Sequence, residues 1–108
     1  MERTGHVHEA TVRLEGGTDP AAVGAAVTVE LCGAVDHAGT CRWPHNNGIS
    51  ADGERFRTVF VAGGPEVDEV HRRIALALRS ATDWSVASDG ARELTPDERE
   101  LAARLVLG

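Results

Sequence analysis

The sequence predicts a single two-layer α/β (α+β) domain. Three features predict it: stretches of apolar–polar alternation, stretches where apolar residues recur with helical spacing, and glycine- or proline-bearing breaks between them. At 108 residues the chain has room for one domain, 1–108, with a modest core that needs no staples.

Residues 6–15 alternate as a strand does. His8, Ala10, Val12 and Leu14 share one face; Val7, Glu9, Thr11, Arg13 and Glu15 share the other. Gly16-Gly17 ends this strand. Asp19 then reads as a helix N-cap, with Pro20 at the first helical position. Val23, Ala26, Val27 and Leu31 make the apolar stripe of that helix. Cys32 falls in its last turn, and Gly33 closes it. Residues 40–45 read as a short second strand that Pro44 confines to an edge or an end. Asn46-Asn47-Gly48 and Asp52-Gly53 are both turn signals, so a long hairpin loop is expected.

Residues 55–62 form the clearest strand, with Phe56 and Phe60 on one face and Val59 and Val61 on the other. Gly63-Gly64-Pro65 interrupts the chain, and a helix to Ser80 follows with the stripe Val67, Val70, Ile74, Ala77 and Leu78. Residues 83–88 read as a fourth strand. Thr95-Pro96-Asp97-Glu98 is a capping box with proline at the first helical position, opening a helix that places Leu101, Leu105 and Val106 on one side. The order β-α-β-β-α-β-α fits a ferredoxin-like βαββαβ two-layer sandwich with an extra C-terminal helix. In that plan the first two strands are parallel and the third runs antiparallel between them. The extra helix is expected to pack on the second face of the sheet, against Val7, Val59 and Val61, or on the same face of a second chain. The plan itself hosts many unrelated functions.

Composition narrows the chemistry. The net charge is −6, from 11 basic against 17 acidic residues. A nucleic-acid or anionic-membrane partner calls for a basic footprint, so neither is expected. The chain has no lysine, tyrosine or glutamine. A lysine Schiff base and a lysine-anchored pyridoxal phosphate are thereby excluded, and so is a phenol acid. Acid–base work falls to histidine, carboxylate or thiol. Glu2, Arg3, His6 and His8 interrupt any N-terminal apolar run, and the weakly polar segment 21–29 is too short to span a bilayer. A cytoplasmic address is expected, where two cysteines are thiols or ligands rather than a disulfide.

The histidines and cysteines are His6, His8, Cys32, His37, Cys41, His45 and His71. In the ferredoxin-like plan, His6, His8, Cys32, His37 and Cys41 map to one end of the sheet. His71 lies near that end and His45 at the opposite one. His6 and His8 point the same way from one strand, with Cα atoms roughly 6.6 Å apart, a spacing that lets two imidazoles hold one ion. With thiolates from Cys32 and Cys41 they make a candidate site for a divalent metal, zinc above all. Asp36 and His37 are the candidate catalytic pair if the ion activates water for hydrolysis or hydration of a small molecule. Cys32, His37, Cys41 and His45 together fit no standard zinc spacing. Cys41 and His45 would also lie roughly 13 Å apart along an extended strand.

Two other readings stand beside this one. In the first, Arg42, Trp43 and His45 bind a small molecule in a metal-free module, with a homodimer interface on the sheet. The bland reading of the same segment is a core Trp43 followed by a turn. In the second, Cys41 acts as a thiol nucleophile. For His71 the structural reading is a satisfied, half-buried histidine.

Overall fold

The computed structural model describes residues 2–33 and 42–107. The elements are β1 (Arg3–Leu14), α1 (Ala21–Cys32), β2 (His45–Ile49), β3 (Arg55–Gly63), a 3-10 turn (Gly64–Glu66), α2 (Val67–Ser80), β4 (Trp84–Arg92) and α3 (Pro96–Leu107). The strands form one four-stranded antiparallel sheet in the order β2-β3-β1-β4. This is the ferredoxin-like arrangement with a C-terminal helix added. No described helix is long and apolar enough to cross a membrane.

Alternation along the strands builds two cores. Ala10, Val12, Phe56 and Phe60 face α1 and α2, where they meet Val23, Val27, Val70, Ile74 and Leu78. Val7, Val59 and Val61 face the other way and pack on α3 through Ala102, Leu101 and Leu105. The expected position of the last helix is therefore borne out, except that Val106 stays 44% exposed. Its start is the expected capping box. Thr95 Oγ1 accepts from the Glu98 amide at 3.2 Å, and a Glu98 carboxylate oxygen accepts from the Thr95 amide at 2.9 Å. α1 stops as read but starts one residue later, at Ala21 with Pro20 in the cap position. Asp19 Oδ1 accepts from the Ala21 amide, and Gly33 closes the helix at φ 81°.

α3 approaches β1 at Gly5. A Cβ on Gly5 would lie 2.5 Å from the Ala102 Cβ, closer than two methyl groups can pack. Gly5→Ala is expected to cost about 1–3 kcal/mol by overpacking. Adding Ala102→Gly should restore part of that loss, measured as recovery of the thermal midpoint in the double variant. No recovery would mean that the two positions do not meet.

Two strands depart from expectation. β2 begins at His45, where the sequence reading ended it, and Asn46, Asn47 and Gly48 lie inside it. Their turn signal is overridden by tertiary bonds: Asn47 Nδ2 donates to Gly24 O and Thr28 Oγ1, both on α1, and the Arg57 guanidinium donates to Asn46 O. Gly48 gives that guanidinium room, since a Cβ there would sit 3.1 Å from Arg57 Cζ. The turn is the later Ser50–Glu54 segment, closed by Gly53 N–H to Ser50 O at 2.9 Å with Gly53 at φ 75°. β4 runs on to Arg92 and carries a β-bulge. Thr11 pairs Ser88 but Val12 pairs Val86, leaving Ala87 extra. The bulge reverses the alternation. Trp84 and Val86 face the core under the helices, and beyond Ala87 that face belongs to Asp89, opposite Ala10.

Candidate functional site

Directly opposed residues of antiparallel strands point to the same face. The register therefore lays two polar rows under α1 and α2 at one end of the sheet. His45, Phe60 and His6 form the outer row across β2, β3 and β1. Asn47, Thr58 and His8 form the next. His45 thus joins the histidine end instead of the opposite one. The correction follows from the strand starting, not ending, at that residue. α2 adds His71, and α1 adds Thr28 and Cys32. The buried Phe60 separates two assemblies.

On the β1–β4 side His8 is the hub. It is 3% exposed, and both of its ring nitrogens are engaged. Nε2 lies 2.8 Å from Asp89 Oδ2, and Nδ1 lies 2.8 Å from His71 Nδ1. A carboxylate only accepts, so His8 Nε2 carries a hydrogen. With His8 neutral, its Nδ1 then accepts from His71 Nδ1–H, and His71 Nε2 holds a lone pair. That nitrogen has no hydrogen-bond partner among the described residues. Asp89 also pairs with Arg79 at the far end of α2. His71 stands edge-on to Phe60, with ring centroids 5.1 Å apart, and His6 stacks on the same ring at 5.5 Å.

The electrostatics follow from this burial. His71 is held below 6.5, first by burial and then by the neighbouring His8 and His6, with Asp68 opposing. It is therefore the neutral base near pH 7. His6 is also lowered, by burial. Burial alone would raise the Asp89 carboxyl, but hydrogen bonds from Arg79 and His8 outweigh it and keep the group below its ordinary value. The site thus joins a fixed anion, a buried imidazole and a partly exposed neutral imidazole in series.

On the β2 side Thr28 meets His45, with Oγ1 2.9 Å from Nε2. His45 Nδ1 donates to the Trp43 carbonyl at 3.0 Å, which leaves Nε2 as the acceptor for the threonine hydroxyl. Asn47 Nδ2 donates to the same Oγ1 at 3.0 Å. Thr28 and Asn47 line a groove of about 480 Å3 between α1 and the edge strand β2.

The residues picked from sequence are divided by this arrangement. His6 and His8 share a face, as expected of alternate strand residues. His6 Nε2 lies 2.8 Å from Thr4 Oγ1, and His8 is occupied by Asp89 and His71. Cys32 lies on the other side of Phe60, its Sγ 3.8 Å from His45 Nδ1. That sulfur is disulfide-bonded, so it is neither the expected thiol nor a thiolate ligand. Cys41, Asp36 and His37 lie outside the described residues. Among the described residues no group of three His, Cys, Asp or Glu side chains could hold a metal ion. Trp43 is 2% exposed, with the Arg42 and Arg73 guanidinium carbons 4.4 and 5.1 Å from its ring centroid, so the core reading holds for it. Arg42 pairs with Glu66 at 2.8 Å.

Sequence reasoning missed Asp89 and Thr28. Asp89 sits in an Asp-Gly pair that reads locally as a turn, and only the bulge turns it inward. Thr28 sits in a helix whose one charged residue is Glu30, beside the stripe residue Val27, and that position is its one available signal. No protein-family model, curated protein or solved structure matches the chain.

Proposed function

We propose that this domain performs acid–base chemistry on a small molecule through an Asp89–His8–His71 relay. One observation carries the reading: a nearly fully buried histidine has both nitrogens committed at 2.8 Å, one to a carboxylate and one to a second imidazole. A buried polar hub of this kind is costly unless every member is satisfied, and its geometry fixes tautomers. His71 Nε2 takes a proton from the substrate. His71 Nδ1 then passes its own proton to His8 Nδ1, and Asp89 holds the imidazolium that forms on His8. Reversal returns the proton. The substrate class is a small molecule with an acidic O–H, N–H or activated C–H. The zinc reading built on His6, His8, Cys32 and Cys41 draws no support from the described geometry, and the relay needs no ion.

Imidazole nitrogen NMR across a pH titration tests this. His71 is expected in the Nδ1–H tautomer near neutral pH, titrating below 6.5. Asp89→Asn removes the anion at the end of the relay that favours a proton on it, so His71 should titrate lower still. His71 in the Nε2–H tautomer, or a titration indifferent to Asp89→Asn in a folded protein, would overturn the relay.

A further inference from the structure

We propose that the Thr28–His45 pair is a second chemical site, a hydroxyl nucleophile with its own base, which accepts the acyl group of apolar esters. The parts are those that nucleophilic catalysis needs. Thr28 Oγ1 is 2.9 Å from His45 Nε2, within reach for direct proton transfer. The Trp43 carbonyl accepts from His45 Nδ1 at 3.0 Å, which fixes the tautomer that can take the proton and orients the ring. Asn47 Nδ2 donates to Thr28 Oγ1 and to Gly24 O, both at 3.0 Å, and so fixes the hydroxyl from a third direction.

The groove supplies the substrate class. Its volume, about 480 Å3, lies in the range of small-molecule pockets. Thr28 and Asn47 are joined in its lining by Ala21, Gly24, Ala25, Ile49 and Phe56, and no lining residue carries a charge. An uncharged ester with a short apolar acyl chain fits this surface, whereas a phosphate or a carboxylate would find no counter-charge there.

The step balances. Thr28 Oγ1 attacks the ester carbonyl carbon while its proton moves to His45 Nε2. The tetrahedral intermediate collapses with loss of the alkoxide or phenoxide, which takes that proton from His45. The product is an O-acyl Thr28 and a free alcohol. Both Asn47 Nδ2 hydrogens are already committed, so they form no separate oxyanion hole. A good leaving group therefore acylates Thr28 faster than water removes the acyl group, and the adduct accumulates.

The test uses 4-nitrophenyl butyrate on the full chain, with nitrophenolate release followed by absorbance and the modified residue located by peptide mass spectrometry. One butyryl group on Thr28 is expected. Thr28→Val, which keeps the side-chain shape, should abolish it. His45→Asn should slow it about a hundredfold, the usual share of a general base. Thr28→Ser should retain it. Arg104→Ala, on the exposed side of α3, should leave it unchanged. Butyrylation elsewhere, no adduct on the folded protein, or equal rates with His45→Asn would each overturn the assignment.

Discussion

Ending the chain after Leu94 is expected to yield a protein that aggregates, or that melts far below the full-length chain. The truncation removes α3 and uncovers Val7, Val59 and Val61, which are 1%, 0% and 0% exposed in the intact domain. Burial of such side chains contributes roughly 1.5–3 kcal/mol each, and a domain of this size is stable by only about 5–15 kcal/mol in total. The same cut removes Glu98, which bonds Arg92 at 2.6 and 3.0 Å and lies 3.5 Å from Arg57. The Arg92 guanidinium, helped by the hydrogen bonds from Thr95, holds the Glu98 carboxyl down to about 2. Because truncation is drastic, Ala102→Asp in the full-length chain serves as a second test. It sets a carboxylate into the apolar contact between α3 and the sheet and should lower the melting temperature by the same mechanism. Unchanged melting and unchanged mass in solution for both proteins would show that α3 is dispensable to the fold.

The fold was legible because its elements obey local rules. Phe56 and Phe60 against Val59 and Val61 fix the two faces of β3, and Thr95 with Glu98 fixes the start of α3. The site was legible only in part, because it depends on register. Strand alternation singles out His6 and His8 as a pair, and His8 is the hub. Its partners come from 63 and 81 residues away in sequence, and no local pattern announces either. Asp89 reaches it only because one extra residue in β4 reverses the alternation set by Trp84 and Val86. His45 was assigned to the wrong end because Asn-Asn-Gly carries a strong turn signal. Hydrogen bonds from Asn47 to α1 outweigh that signal, and these exist only once the layers have packed.

Phe60→Ala is expected to cost about 3–5 kcal/mol, the usual loss for a buried phenylalanine. Phe60 is 0% exposed and is the ring on which His6 stacks and against which His71 stands. Phe60→Leu keeps much of the volume and so separates packing from the aromatic contacts. In that variant the His71 ring is held less tightly, and its pKa should rise toward 6.5, since burial is the main cause of its depression. The change should also appear in stability. Folded His71 binds a proton less readily than the unfolded chain does, so acid favours unfolding. Its contribution to stability therefore rises with pH through the window between the folded value and 6.5, and the penalty is complete below the folded value. Denaturant melts of the wild type between pH 5 and 7 should show stability climbing with pH across that window. The climb should be shallower in Phe60→Leu, and absent in His71→Gln apart from what His6 contributes, since burial lowers that group too. A climb of equal steepness in all three proteins would show that His71 is not the titrating group. It would also show that Phe60 acts only as filling between the layers.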